Sequence, residues 1–367
     1  MAMDLNFYQS LDKDELKRRV ADVKKRLGKR LLILGHYYQQ DEVIEFADHQ
    51  GDSLALAKAG AADREAEFIV FCGVHFMAES SVVLARKGQR VFMPDPDAGC
   101  PLADMADIEQ VEDAWNALVE KPEVRSQKSE IIPITYINSS AELKAFCGKK
   151  GGVVCTSSNA GKAFDWALST VGQASRLSSQ KLFFFPDEHL GRNTANEKGF
   201  KRNEIVVWDP LEPNGAVDPK SLAEAMIILW KGHCHVHTYF TPEHVKHARE
   251  KYPGCKVIVH PECTEDVVKA SDANGSTSFL KKYAEEAPAG STVVIGTEIN
   301  MVNRLAGQNP DKKIVPLARS LCPNMFKTSI ADLCFTLEGL PDINEVEVPD
   351  YIAQDAKIAL ERMLTLG

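Results

Sequence analysis

The sequence predicts an α/β protein of three similar units, on three observations. Short apolar runs alternate with helical patterns along the whole chain, the signature of parallel strands joined by crossover helices. Three strand-like runs, Arg90–Pro94, Met226–Trp230 and Lys313–Ala318, each lead into a polar, Gly- or Pro-marked loop that carries one cysteine: Cys100, Cys234 and Cys322. The spacings repeat as well. His36 to Cys100 is 64 positions and His260 to Cys322 is 62, while Asn138 to Cys234 is 96, the same unit with about thirty residues inserted. Three such units around a pseudo-threefold axis would bring three cysteines to one central site. The expected architecture is therefore three three-layer α/β domains with short parallel sheets: 1–120, 121–245 with an insertion near 191–220, and 246–340, followed by a C-terminal extension, 341–367.

The first helix is expected over Asp14–Leu27, where Leu16, Val20, Val23 and Leu27 recur at helical spacing before Gly28. Leu31–Leu34 then forms a buried strand ending in Gly35-His36-Tyr37-Tyr38-Gln39. A helix over Asp52–Ala61, a strand from Phe68 and a helix over Glu79–Lys87 lead to the Cys100 strand. Residues 107–128 suit a polar, helical connector. The pattern restarts with strands at Ile131–Thr135, Gly152–Cys155 and Lys181–Phe185. The polar excursion 191–220 carries a strand of its own, Ile205–Trp208. Thr241 and Pro242 mark a helix start after Cys234. The third round places strands at Lys256–Val259, Ser291–Ile295 and before Cys322, and the chain closes with a helix over Tyr351–Leu364.

Composition narrows the function. With 44% hydrophobic and 26% charged residues the chain resembles an ordinary soluble globular protein. Its net charge of −9 disfavours nucleic acid or an anionic membrane as partner. Met1–Ser10 lacks the pattern of a signal peptide, and no apolar run approaches the length of a membrane span. Nine scattered cysteines then suit reduced thiols or metal ligands in the cytoplasm.

Most of those cysteines sit inside apolar or helical patterns, as small core residues do: Cys72, Cys147, Cys155, Cys255 and Cys334. Cys263 fits either description. Cys100, Cys234 and Cys322 occupy strand-end loops, where open α/β sheets build their sites. Spacing alone leaves both a three-cysteine metal site and three buried thiols open. His233, His235 and His237 alternate around Cys234, which on an extended strand would put the histidines on one side and the cysteine on the other. His36 and His260 hold equivalent places after first strands, near Tyr38 and Glu262, and suit acid–base work. Ser139-Ser140-Ala141-Glu142 has the capping-box pattern, and Ser157-Ser158-Asn159 and Ser276-Thr277 mark helix starts, which also bind anions. No Gly-x-Gly-x-x-Gly or Walker motif is present.

Taken together, Gly35–Gln39, Tyr136–Ser140, Cys155–Asn159, Pro186–Asn193, His260–Glu262 and the three cysteine loops resemble the quinolinate synthases of bacteria and archaea, in order and over nearly the whole chain. The resemblance implies a three-domain fold and a [4Fe–4S] cluster held by Cys100, Cys234 and Cys322, with one iron left open as a Lewis acid. It implies condensation of iminoaspartate with dihydroxyacetone phosphate to quinolinate, phosphate and water in NAD biosynthesis. Functional coupling to an L-aspartate oxidase or dehydrogenase that produces iminoaspartate would follow. Tyr38 and Glu262 would be the acid–base pair. His36, Ser53, Tyr136, Asn138, Ser157, His260 and Thr277 would hold carboxylates and phosphate, Ser157 and Thr277 being taken over their neighbours Ser158 and Ser276. The competing readings are a zinc-dependent hydrolase or other metalloenzyme acting on a small anion, an iron–sulfur electron carrier, and a structural repeat protein.

Overall fold

The computed structural model describes residues 4–120, 130–169 and 180–367. Its strands fall into three sheets with one recurring order. In the first, β1 (Leu31–His36), β2 (His49–Gly51), β3 (Phe68–Cys72) and β4 (Arg90–Phe92) pair in parallel as β2–β1–β3–β4. The second contains β5 (Glu130–Tyr136), β6 (Val153–Cys155), β7 (Gln180–Phe185), β8 (Ile205–Trp208) and β9 (Ile227–Trp230), arranged β6–β5–β7–β9–β8. The third is β11–β10–β12–β13, from β10 (Lys256–Val259), β11 (Ala273–Asn274), β12 (Thr292–Gly296) and β13 (Lys313–Pro316). Apart from β8, each sheet places its first strand between its second and third. That order creates a crevice at the carboxyl ends of the first and third strands, where open sheets bind ligands.

The central strands are buried on both faces, as parallel strands covered by helices must be: β1, β3 and β9 are buried at every residue. Helices cover them for local reasons. In Lys13–Leu27, Asp12 accepts the Glu15 N–H, Leu16, Val20 and Val23 face the core, and Gly28 ends the helix at φ 53°. The Pro242–Lys251 helix starts at Thr241, as its sequence indicates, and His244 at its third position closes a capping box there.

The C-terminal extension ties two sheets together. β14 (Glu345–Val346) adds antiparallel to β4, and the Asp350–Leu366 helix packs on the Ala141–Lys149 helix. The two helices meet at Gly148, where a Cβ would lie 1.9 Å from the Asp355 carbonyl oxygen. Arg362 donates to the Gly152 carbonyl (2.6 Å) and Asn159 to that of Met363 (3.2 Å).

Several local expectations need correction. The helix expected at Glu79–Lys87 runs over His75–Leu84, because Phe76 and Met77 are drawn into the core and Gly88, at φ 92°, makes the following turn. Cys100 does not follow its strand directly, since β4 ends at Phe92 and a loop intervenes. The start of the 191–220 excursion belongs to a helix, Glu188–Glu197, capped by Asp187. Gly191 looks like a breaker there, but a Cβ would lie 2.6 Å from Leu229 and Phe184 side-chain atoms, so close packing requires glycine. The strand within the excursion forms as expected and extends the sheet beside β9. The Ser139–Glu142 capping box does not form; Ser140 caps the helix through the Leu143 N–H. Of the 107–128 connector, Ile108–Glu120 is helical, and 121–128 lie outside the described residues. Among the described residues no helix is long and apolar enough to cross a membrane.

Candidate active site

One buried pocket collects the carboxyl ends of all three sheets. The first strands supply His36 and Tyr38, Tyr136 and Asn138, and His260 and Glu262. Helix starts after the second strands supply Ser53, Ser157 and Thr277, and the loops after the last strands supply Cys100, Cys234 and Cys322. All twelve side chains singled out in the sequence therefore line this cavity. Ser158 and Ser276 point elsewhere: Ser158 donates to Asp52 and Ser276 caps its helix. Val74, Phe76, Met77, Val236 and Met325 give the pocket apolar walls.

His36 and His260 share one local device. The Nδ1 of His36 accepts the Tyr38 N–H (3.2 Å), and the Nδ1 of His260 accepts the Glu262 N–H (3.3 Å). Each ring thus carries its proton on Nε2, and that of His260 donates to Ser157 Oγ (3.2 Å). Burial lowers His36 to about 4 and, helped by His237, lowers His260 to about 3. Both are neutral donors at pH 7.

His237 was not assigned to the site by sequence, and the structure puts it at the centre. The expected alternation of three histidines fails because His235–Thr238 is a helical turn begun by Cys234. His233 and His235 are exposed, whereas His237, three residues after Cys234, returns to the same side and is 1% exposed. Its Nδ1 lies 2.8 Å from Glu262 Oε2, and its Nε2 lies 3.1 Å from Thr297 Oγ1 and 3.4 Å from Tyr38 Oη. Tyr38 Oη and Thr297 Oγ1 are 2.6 Å apart. Tyr136 donates to Glu262 Oε1 at 2.5 Å. A continuous chain therefore runs Tyr38/Thr297–His237–Glu262–Tyr136.

Burial alone would raise Glu262, but neighbouring imidazoles and hydrogen bonds hold it well below the ordinary carboxylate range. Because His260 is neutral, the groups that keep Glu262 ionised are the donors His237 and Tyr136. Burial, reinforced by the Glu262 charge, pushes both phenols well above their ordinary value, so they keep their protons. The arrangement offers a carboxylate, an imidazole and a phenol in hydrogen-bonded series, beside neutral donors suited to anions.

The three pocket cysteines are free thiols. Burial raises all three, Cys100 to about 12, and ionising one of them opposes ionisation of the next, Cys322 acting on Cys100 and Cys100 on Cys234. A second donor set shares one of them: ligand atoms of Cys234, His237 and Glu262 lie within 4.8 Å of one another. The remaining cysteines, including Cys263, are buried in the core.

A family model described as "Quinolinate synthetase A protein" matches residues 18–365. The chain is 47% identical to the quinolinate synthase of Acidobacterium capsulatum over 372 residues, covering 100% of this chain and 96% of that protein. It is also 47% identical to the quinolinate synthase of Geobacillus kaustophilus over 367 residues, covering 98% and 96%. The chain belongs to the quinolinate synthase family. Within this family member, Thr297 and Asp52 are further site residues that the sequence reading passed over. Thr297 directly follows the third strand of its sheet, the strand-end signal used elsewhere in the chain. Asp52 joins the three sheets: it caps its own helix through the Ala55 N–H and accepts from Ser158 (2.7 Å) and Ser278 (2.6 Å), one from each of the other two.

Proposed function

We propose that this chain condenses iminoaspartate with dihydroxyacetone phosphate to give quinolinate, phosphate and two waters. The observation that carries this reading is the pocket itself, where three thiols, two neutral imidazoles and a phenol–imidazole–carboxylate series meet. Family membership supports it.

Three converging free thiols without a Cys-x-x-Cys run fit a [4Fe–4S] cluster held by Cys100, Cys234 and Cys322, one iron having no protein ligand. When bound, the cluster supplies a Lewis acid that polarises substrate oxygens. The chain's own residues do the rest. Nε2–H of His36 and His260, with Asn138 and the hydroxyls of Ser53, Ser157 and Thr277, hold the carboxylates and the phosphate. The positive ends of the Ser53–Ala62, Ala160–Ser169 and Thr277–Glu286 helices favour the same anions. Tyr38 Oη gives a proton to a departing hydroxyl; His237 Nε2 takes a proton released by the substrate, its positive charge offset by Glu262, and passes it to Tyr38. Tyr136 keeps Glu262 ionised. Apolar walls exclude water that would hydrolyse an imine.

The same reading treats the three sheets as related domains, 1–120, 121–245 and 246–340 with the 341–367 extension, about a pseudo-threefold axis; the shared strand order supports it. Functional coupling to an enzyme that makes iminoaspartate belongs to this proposal.

The donor set Cys234, His237 and Glu262 favours a second reading, a zinc-dependent hydrolase. Against it, His237 Nδ1 and Glu262 Oε2 already hydrogen-bond each other. Incubating oxygen-protected protein with dihydroxyacetone phosphate and freshly generated iminoaspartate tests the proposal. Quinolinate and phosphate in equal amounts support it; cluster-loaded protein that forms neither contradicts it.

A further inference from the structure

Tyr38 lies in an irregular loop, and such loops position a reacting group only where their backbone is held from outside. Here the hold comes from the Ile299–Gln308 helix of another sheet's unit. Arg304 Nη1 donates to the Tyr37 carbonyl (2.8 Å), Asn300 Nδ2 to that of Tyr38 (3.0 Å), and Arg304 Nη2 to that of Gln39. Three consecutive carbonyls are taken by two side chains one turn apart. The same segment also reaches the far end of Tyr38, since Thr297 holds its phenol.

We infer that Arg304, with Asn300, is a positioning residue that sets the Tyr38 phenol against His237 and Thr297. The role rests on the catalytic part proposed for Tyr38. Arg304 does not line the pocket; it reaches Tyr38 through the loop backbone, and its charge also opposes protonation of His36. Its side chain is 10% exposed, and its ion pair with Asp41 (2.7 Å) gives little, because Asp41 is 72% exposed. The two partly buried carbonyl contacts are the reason for a guanidinium there. Its planar fork spans both acceptors, which the single ammonium of a lysine does not.

Misplacing a reacting group by about 1 Å costs on the order of 100-fold in rate. Arg304→Met and Arg304→Lys should therefore each lower kcat about 10- to 100-fold, with KM for both substrates within about threefold and iron content unchanged. In a Tyr38→Phe background, Arg304→Met should leave the residual rate where it is, since the residue it positions is gone. A further fall of tenfold or more in that background would mark a general structural role and overturn the inference. Hydrogen exchange of the Tyr37–Gln40 amides decides the matter without turnover. Exchange should quicken about tenfold or more in both Arg304 variants while that of the β1 core amides stays put, and unchanged Tyr37–Gln40 exchange refutes the clamp. Protein that makes no quinolinate but shows the exchange effect would sink the enzymatic reading and leave the clamp standing.

Discussion

Acidification should remove stability through two buried histidines. Burial holds His36 at about 4 and His260 at about 3, against 6.5 for an ordinary histidine. Between those values the unfolded chain binds protons that the folded chain refuses. Stability therefore rises with pH in this window and is lost as pH falls below about 6.5. At about 1.4 kcal/mol per pKa unit, going from pH 7 to pH 5 costs about 2 kcal/mol at each site, about 4 kcal/mol together. Carboxylates titrate in the same acid range, so the test is a difference between proteins. His36→Gln and His260→Gln each retain an N–H donor but no titrating ring. Urea midpoints of cluster-free protein at pH 7, 6 and 5, converted with a common m-value, should show each variant losing about 2 kcal/mol less than the parent. Parallel curves would refute the assignment of these rings as buried neutral donors.

Three further outcomes are expected. His237→Gln keeps a donor toward Glu262 but no ring to pass a proton, so turnover should fall about 10²- to 10⁴-fold at unchanged iron content; a variant retaining a tenth of the parental rate would remove His237 from the proton path. Asp52→Ala deletes a helix cap and two hydroxyl contacts to other units, a loss of about 3 kcal/mol or more by thermal or urea unfolding, and a change under 1 kcal/mol would show the joint to be idle. Gly148→Ala forces a Cβ against the Asp355 carbonyl and should cost about 1–3 kcal/mol. Proteolysis should then cut within 341–367 first, and protection equal to the parent's would contradict the packing.

The architecture was legible because its strands are long apolar runs with polar, Gly-marked ends. β1, β5 and β10 stand out in the sequence, and the residues after them point to the pocket. What escaped detection is short or polar. β2 offers two exposed polar side chains and a buried glycine, and β11 only two half-buried residues, so no apolar period marks them. The Glu188–Glu197 helix was hidden by Gly191, whose reason lies in packing against β7 and β9. His237 was misplaced because periodicity assigns faces only once the local conformation is known. A strand separates Cys234 from His237, and one helical turn brings them together. Arg304 left no trace, since its partners are carbonyl oxygens more than 260 positions away.

The central claim is that Cys100, Cys234 and Cys322 hold an iron–sulfur cluster in this pocket. Iron and acid-labile sulfide, with a visible spectrum, on protein purified without oxygen test it most directly. The account predicts about four irons and four sulfides per chain and a broad brown absorption bleached by air. That absorption should vanish in Cys100→Ser, Cys234→Ser and Cys322→Ser and persist in Cys72→Ser and Cys334→Ser. One zinc per chain and no iron, or a full cluster surviving any of the first three substitutions, would contradict it.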